Sequence, residues 1–541
     1  MKKKIPKLTK KQQSASKTES TTTQPVTAED ILEQGSLDEE SGDRWLGSDV
    51  SKALRFYQKA YLSYQQCIRL SSTSNPDAYY NLCRLTLEVY LLFKNNDGLD
   101  VETLENVDEV IFAQDSVVQE LSQIYDLHFK CLEILQPLGD LSSDLVFNTI
   151  AVCVEALESD QSKNGGASYE EICAVFSKAW VLLEMLVQRQ VSELENFVEE
   201  LAKITDTRPQ GSDTDTNNSA PQSGQKEEEY ESEETTQPVD LYETIVLGHR
   251  LVQALYESSD RDQVENSRNL SSSCLELMNG VTRVLTQSFS AQATDKNSML
   301  ENISEEQLSS LAISHTSLAV LSQNDVSRAV EMWQSSPIAN TAEKYMVASD
   351  NVQTLLERNE VGLDKLIILG PQEPQDAGKQ LFWQALKFQN ATLQSAEAQL
   401  SETLAAKRKA PSGVELGIGS IIVQIAGLKI ARADINFQMS RIPDFPNSAS
   451  HASQLVQNVK ILLKAAANLA NTSGGLRERQ TEKINRDTKL SEAIFRLCLI
   501  EGKSSIDELD QIMTRPRWIK QVPEIRNLGY YDSLIAHLPA E

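Results

Sequence analysis

The stretch Asp49-Val-Ser-Lys-Ala-Leu-Arg-Phe-Tyr-Gln-Lys-Ala60 decides the fold of this chain. Ala53, Tyr57 and Ala60 stand at positions i, i+4 and i+7, which places their side chains on one face of a helix. Small, aromatic and small side chains on one face are typical of a helix against which another helix packs closely. A related string, Asp325-Val-Ser-Arg-Ala-Val-Glu-Met-Trp333, occurs far downstream. The two strings predict helices that are paired into hairpins.

The composition of the whole chain favours the same kind of fold. A chain of 541 residues is too long for one ordinary core, so we expect several domains or one long helical array. Hydrophobic residues make up 40% of the chain, whereas it has only 22 Gly and 16 Pro. Strand-like alternation of polar and apolar residues is almost absent. We therefore predict an all-α protein built from helical hairpins.

Charge and cysteine content limit the class of partner and the compartment. The formal net charge of −27 repels nucleic acid and anionic membranes and attracts basic proteins, although such a charge can also serve solubility alone. None of the seven cysteines forms a Cys-x-x-Cys pair, which predicts free thiols in a reducing compartment. No apolar run approaches the roughly 20 residues that cross a bilayer. We expect no membrane insertion and a location in the cytoplasm, the nucleus or both.

Composition divides the chain into four parts. Residues 1–44 are basic and then acidic, and we predict that they are disordered, apart from a short helix that could start near Ile31. Residues 45–204 are predicted to form a helical domain. Residues 205–239 are rich in acids and nearly free of aliphatic side chains, which predicts an acidic disordered linker. Residues 240–541 are predicted to form a second all-α region.

Helical periodicity gives more detail within these parts. It predicts helices over about 48–70, 77–93 and 101–134, with a turn before Pro76. The C-terminal segment 515–531 is richer in aromatic and basic residues than the rest of the chain. We expect it to cap the last hairpin, with a contact surface as the alternative.

Two short motifs fall in the polar segments. Ser232 is followed by two glutamates, which makes it a candidate target of an acid-directed kinase, although an unmodified spacer is the alternative. A lysine cluster near the start resembles a nuclear-import signal, although basic termini are common. Its members are Lys2, Lys3, Lys4, Lys7, Lys10 and Lys11.

The opening stretch resembles the tetratricopeptide repeat, a helix-turn-helix unit of 34 residues. The second helix of that unit carries Ala, an aromatic residue four positions later, and Ala three positions after that, as Ala53, Tyr57 and Ala60 do. The repeat is degenerate here, because the turn to the next helix is long and Cys83 stands where Gly is usual. Further matching residues are Tyr80, Asn81 and Leu82 in a first helix, and Ala329 and Trp333 in a second helix.

The resemblance implies a non-enzymatic scaffold or adaptor that holds other proteins in a concave groove. Some acidic proteins of this family escort basic clients, so the charge of this chain makes an assembly chaperone for a basic client an expectation. One alternative is a helical solenoid of membrane trafficking or of a membrane coat. Another is an all-α enzyme subunit whose active site has no linear motif. The sequence leaves the oligomeric state open.

The sequence predicts no catalytic, cofactor or metal site. The five histidines are scattered without metal-ligand spacing, and Gly417-Ile-Gly419 lacks the third glycine of a dinucleotide-binding loop. Residues 476–489 are rich in Arg and Lys, but Glu478 and Glu482 interleave with them at i, i+4 spacing. This pattern predicts a solvated, ion-paired helix face rather than a phosphate-binding one. We therefore expect protein partners and no direct contact with nucleic acid.

Overall fold

Helix follows helix through the part of the chain that the computed structural model describes. Within that part the chain forms helices, turns and loops but no β-strand, so the prediction of an all-α protein is confirmed. The described residues are 27–71, 75–95, 98–101, 104–139, 141–159, 167–206, 236–290, 300, 302–368, 375–410 and 417–539.

The α-helices of the described residues are numbered here in chain order. They are α1 (Ala28–Leu46), α2 (Val50–Ser71), α3 (Pro76–Phe93), α4 (Asp108–Ile111), α5 (Leu121–Leu135), α6 (Ser143–Glu158), α7 (Tyr169–Asp206), α8 (Pro238–Glu257), α9 (Val264–Ser288), α10 (Glu305–Leu321), α11 (Val326–Ser335), α12 (Ala342–Arg358), α13 (Leu363–Ile368), α14 (Gln375–Lys409), α15 (Ile418–Ser440), α16 (Pro446–Ala470), α17 (Gln480–Glu501), α18 (Ile506–Met513), α19 (Arg515–Ile519), α20 (Gln521–Asn527) and α21 (Asp532–Ile535).

These helices pack mainly on their neighbours in the sequence. Helices α6, α8, α10, α12 and α14 contact one another in succession and form one layer. A second layer is formed by α7, α9 and α11: α7 bridges α6 and α8, α9 packs on α8 and α7, and α11 packs on α10, α12 and α14. Short connections make consecutive helices antiparallel, as the hairpin prediction requires.

The first hairpin contains a segment that the sequence analysis assigns to disorder. Residues 28–44 belong to α1, which packs along α2, so the prediction of disorder is wrong for them. Two glycines seven residues apart, Gly35 and Gly42, remove the side chains from the contact face of α1. A Cβ atom on Gly42 would lie 2.5 Å from Cε1 of Tyr57, and one on Gly35 would lie 2.6 Å from Cε1 of Tyr64. The two aromatic rings of α2 therefore lie directly on the backbone of α1.

Hydrogen bonds from the hydroxyls of these two tyrosines fix the position of α1. The hydroxyl of Tyr57 donates to Oδ1 of Asp43 at 3.0 Å, and that of Tyr64 donates to Oε2 of Glu39 at 2.8 Å. Arg84 of α3 forms an ion pair with the other oxygen of Glu39. Burial, reinforced by the nearby carboxylates, raises the pKa of Tyr57 and Tyr64, so both remain hydrogen-bond donors at neutral pH. The acidic segment is ordered because its carboxylates accept these bonds.

The segment between α3 and α5 also differs from the prediction of one helix over 101–134. Much of it is non-helical and lies along α2. There the side-chain amide of Gln58 forms hydrogen bonds with the backbone of the loop. Its Nε2 donates to the carbonyl oxygen of Asp115 at 2.7 Å, and its Oε1 accepts from the backbone N–H of Val117 at 2.8 Å. The amide therefore fixes the loop in an extended path before α5 begins.

One hydrophobic core runs across residues 205–239, which the sequence analysis assigns to a linker between two domains. Side chains of α6 and α7, such as Ile150 and Leu183, are buried in the same cluster as Leu251 of α8 and Met278 of α9. The helices on both sides of the acidic segment are therefore one folded unit, and the predicted division into two domains is wrong at this point.

The C-terminal segment caps the helical array, as predicted. Trp518 and Tyr531 are fully buried against α15, α16 and α17. The hydroxyl of Tyr531 donates to Oδ1 of the buried Asp434 at 2.7 Å, and Nε of Arg496 donates to the other oxygen at 3.2 Å. The segment is thus held by both apolar burial and a shared carboxylate.

The two ends of the array touch each other. The backbone N–H of Gln480, at the start of α17, donates to the carbonyl oxygen of Gly47 at 3.0 Å. Ile484 packs on the apolar cluster of α2 and α3, and Lys520 lies 2.7 Å from Asp100. The array is therefore closed on itself through a contact between its first and last hairpins.

We predict that Gly42→Ala destabilises the first hairpin, because its Cβ would overlap Tyr57. Overpacking costs about 1–3 kcal/mol, which exceeds the gain of about 1 kcal/mol in helix propensity. Hydrogen exchange of residues 28–71, measured by mass spectrometry, should become faster. The matched control is Gly280→Ala in α9, where a Cβ would meet nothing within 4 Å, and this change should slow exchange locally. Equal responses at both glycines would contradict the close contact.

A second prediction concerns the shared core. Cleavage within residues 207–235, at an inserted protease site, should leave two fragments that co-elute at native size, because α6 to α9 bury their apolar side chains together. Size-exclusion chromatography before and after cleavage measures this. Fragments that separate without denaturant would restore the two-domain interpretation.

Candidate interaction groove

An open groove of about 620 Å³ lies between α11, α12 and α14. Its apolar part includes Trp333 of α11, Ala348 of α12 and Phe388 of α14. The rim carries amide and hydroxyl groups, among them Asn340 and Ser395. With apolar side chains in its floor and amide and hydroxyl groups on its rim, a groove of this volume can take up an apolar side chain of a peptide or a small molecule.

The sequence of α11 determines how the floor is built. Asp325 caps the helix, since its Oδ1 accepts from the backbone N–H of Arg328 at 3.1 Å. Ala329 is fully buried and Trp333 is 3% exposed, so both face the core as the spacing predicts. Trp333 also borders the groove. The downstream copy of the Ala-aromatic pattern therefore supplies one wall of the candidate site.

A buried lysine shapes the loop that closes one end of the groove. Nζ of Lys344 donates to the carbonyl oxygens of Ser336 at 3.3 Å and Ile338 at 2.7 Å, and to Oδ1 of Asn340 at 3.3 Å. Desolvation lowers the pKa of Lys344. Nε2 of Gln399 in α14 donates to the carbonyl oxygen of Asn340 at 2.6 Å. The loop is thus held in place from both walls before any partner arrives.

The other predicted packing residues lie elsewhere. Ala53, Tyr57 and Ala60 are fully buried in the apolar cluster of α2 and α3, far along the chain from the groove. Tyr80 and Leu82 are also buried, but in two different clusters on opposite sides of α3, and Asn81 between them is half-buried. These residues build the array and do not converge on one site.

Two of the predicted motifs are outside the described residues. The phosphorylation candidate Ser232 is one of them. The lysine cluster of the import signal is the other, with Lys2, Lys3, Lys4, Lys7, Lys10 and Lys11.

Strongly perturbed titratable groups are buried between helices, away from the groove. Burial lowers the pKa of His128 to about 4 and that of His249 to about 4. His128 contacts the carbonyl oxygen of Cys83 and the hydroxyl of Thr149 inside the α3–α5–α6 core. Among the described residues, His, Cys, Asp and Glu form no group of three that could hold a metal ion. Both histidine pKa shifts have burial as their first cause.

The glycine pair at the start of α15 offers no room for a phosphate. Gly417 caps the helix with a φ of 74°, which matches its lack of a side chain. A Cβ on Gly419 would meet Oε2 of Glu482 at 2.8 Å and Oε1 of Glu478 at 3.0 Å. Two carboxylates therefore already face the helix N-terminus at which an anion would have to bind.

The same two carboxylates correct the prediction of a solvated, ion-paired helix face over residues 476–489: Glu478 is paired with Arg486, but both acids face the interior. Glu482 is 7% exposed, and Glu478 accepts hydrogen bonds from Arg486 and from the backbone of Gly474. Arg477, Arg479 and Lys483 are exposed instead. Both acids point inward together with Arg486, whereas Arg477, Arg479 and Lys483 point outward, and helical spacing alone does not distinguish these directions.

Charge is distributed unevenly along the chain. Residues 376–541 hold 21 Lys and Arg against 17 Asp and Glu, a formal charge of +4, so residues 1–375 carry −31. The groove lies where these parts meet, with α11 and α12 on the acidic side and α14 on the basic side. Across the described ranges, no helix is both long enough and apolar enough to cross a bilayer.

We predict that Lys344→Met loosens the groove loop, because it leaves the carbonyl oxygens of Ser336 and Ile338 without their donor. Losing hydrogen bonds from a charged group costs about 1.5–3 kcal/mol. Hydrogen exchange of residues 336–348 should accelerate. Lys387→Met, at an exposed lysine of α14, is the matched control and should leave exchange unchanged. Unaltered exchange in both variants would show that Lys344 does not hold the loop.

Comparison with known proteins gives one family match in the C-terminal part and one similar curated protein. The family described as YNL193W C-terminal domain matches residues 356–523, from the last turn of α12 into α20. The chain is 26% identical over 201 residues to a protein of Saccharomyces cerevisiae (strain ATCC 204508 / S288c) described as uncharacterized protein YNL193W. That similarity covers 35% of this chain and 34% of the relative, so the chain spans about a third of the relative's length. No solved structure matches. The range matched by the family includes α14, one wall of the groove.

Proposed function

We propose that this chain is a non-enzymatic protein-interaction scaffold, built from tetratricopeptide-like hairpins, which holds a partner protein in the groove between α11, α12 and α14. The observation that carries the proposal is the open groove with its apolar floor at Trp333, Ala348 and Phe388. Such a surface can bury side chains of a partner at low cost, because the loop at its end is already held by Lys344.

The arrangement of the first hairpin supports the tetratricopeptide-like part of this proposal. Ala53, Tyr57 and Ala60 lie on the second helix of a hairpin, with α1 as the first helix, which is the place that the resemblance implies. Their side chains are fully buried, so they do pack against neighbouring helices. The long inter-repeat turns and the loop between α3 and α5 keep the repeats degenerate.

Charge around the groove supports a basic partner. Residues 305–358 contain seven Asp and Glu but only three Lys and Arg. Lys344 and Arg358, two of the three bases, point inward, since Arg358 donates to the carbonyl oxygens of Leu321 and Tyr256. Glu331 of α11 is exposed, although the lining of the groove itself holds no Asp or Glu. The excess of acids on these helices attracts a basic surface, and the proposed role is an escort or assembly chaperone for a basic client.

The test is affinity purification of the full chain from native extract, with a groove variant and a matched control. Ala391→Arg places a long charged side chain into the groove from an exposed position of α14. Ala405→Arg changes an equally exposed alanine of the same helix, roughly 21 Å further along its axis. We expect recovery of a stoichiometric partner to fall about tenfold in the first variant and to stay unchanged in the second.

The outcomes separate the proposal from its alternatives. A basic partner that is released as salt rises from about 0.15 M to 1 M, where the Debye length falls to about 3 Å, supports the escort role. Equal recovery by both variants overturns the groove as the binding site. A partner set made of membrane-coat components would replace the proposal by the trafficking alternative. Location in the cytoplasm, the nucleus or both stays a prediction.

A further inference from the structure

A basic surface lies where the two ends of the array meet. The hydrogen bond between Gln480 and Gly47 brings the end of α1 and the start of α2 next to the start of α17. Five bases lie within five residues of this bond in the sequence, three of them before or within the first turn of α17. We call them the seam surface: Arg44, Lys52, Arg477, Arg479 and Lys483.

The acids on the same segments keep their negative charge, but they are less exposed than four of the five bases: Asp43, Asp49 and Glu478 are half-buried and Glu482 is buried. Asp43 accepts from the hydroxyl of Tyr57, and Asp49 caps α2 by accepting from the backbone N–H of Lys52 at 2.9 Å. Glu478 accepts from Arg486, and Glu482 is buried beside Gly419. The outward-facing charges of the seam are therefore positive, although the chain as a whole is strongly acidic.

Exposed apolar side chains lie among these bases. Leu476 is 84% exposed, next to Arg477 in the sequence. Trp45 is 37% exposed, and Nζ of Lys52 lies 3.4 Å above the centroid of its ring. Leu476 and Trp45 thus give the seam one exposed apolar side chain from each end of the array. The surface therefore offers both ionic and hydrophobic contacts.

We propose that the seam surface docks a short acidic segment of a partner protein, one that also carries an aromatic or aliphatic side chain. Carboxylates of such a segment pair with the arginines and lysines, while its apolar side chain covers Leu476. Residues 1–375 carry −31, and this charge repels a long polyanion that extends beyond the seam. A short segment contacts the seam alone, so fewer of its charges face the acids of the rest of the chain. A short acidic peptide is therefore favoured over a long nucleic acid as the ligand.

The seam surface is distinct from the groove, and the proposal does not rest on the function proposed for the groove. The groove has an acidic side and suits a basic partner, whereas the seam suits an acidic one. The two sites can therefore be tested separately in the same full-length protein. The groove variant Ala391→Arg should leave binding at the seam unchanged.

The experiment measures binding of a fluorescent acidic peptide to the full chain by anisotropy. The probe has the sequence of residues 225–235, Gln-Lys-Glu-Glu-Glu-Tyr-Glu-Ser-Glu-Glu-Thr, which combines acids with one aromatic side chain. The seam variant is the triple change Arg477→Glu, Arg479→Glu and Lys483→Glu. The matched control reverses three exposed bases elsewhere, Arg261→Glu, Arg283→Glu and Lys387→Glu. We expect the Kd to rise at least tenfold in the seam variant and to stay unchanged in the control.

A further variant tests the apolar part without a change of charge. Leu476→Ser should weaken peptide binding severalfold, and because Leu476 is exposed, the far-UV circular dichroism should stay as in the parent. Retained peptide binding in this variant would reduce the site to a purely ionic one and overturn the proposed kind of segment.

Three results would overturn the proposal as a whole. The first is equal peptide affinity in the seam variant and its control. The second is tighter binding of a single-stranded RNA oligonucleotide than of the peptide through the same three bases, which would assign the surface to nucleic acid. The third is a tenfold gain in peptide affinity on deletion of residues 207–235, which would assign the surface to this chain's own acidic segment instead of a partner.

Discussion

The rest of the array depends on the contact between the glycines of α1 and the tyrosines of α2. It brings two helical backbones close together, and it buries Tyr57 and Tyr64 so deeply that their hydroxyls must find acceptors. Glu39 is one acceptor, and it also binds Arg84, which fixes α3 relative to the first hairpin. The same hairpin presents Gly47 to α17 at the other end of the chain. One close packing interaction thus positions both the next helix and the closing contact.

Helical spacing correctly predicts the buried face of a helix where apolar side chains form that face. Ala53, Tyr57 and Ala60 lie on one buried face, as their spacing requires, and the Ala329–Trp333 pair does the same. The sequence predicts only the start of the first helix near Ile31, because beyond that residue the buried positions are Gly35, Glu39 and Gly42, which carry no hydrophobic signal of their own. Their role becomes visible only with the aromatic rings of the partner helix in place.

Periodicity also does not predict whether a charged side chain of a helix faces the interior or the solvent. Glu478 and Glu482 satisfy a helical charge pattern, yet they face Gly419 and Arg486 in the interior, whereas Arg479 between them faces outward. A glycine on a neighbouring helix leaves the space that makes this possible. In the same way, Gln58 holds an extended loop where apolar spacing favoured a helix. The groove itself joins α11 to α14, which are 40 residues or more apart over most of their contact, so no local pattern reveals it.

The contact between Gly47 and Gln480 limits how the number of hairpins can change in evolution. An open stack of hairpins can gain or lose a unit in its middle, since each unit touches only its neighbours. In a closed array, one additional hairpin would push the first and last units apart and expose Ile484 together with the apolar cluster that it covers. The number of hairpins is therefore fixed by geometry, and variation in length is confined to the connecting segments, such as residues 207–235, whose extension leaves the closure intact.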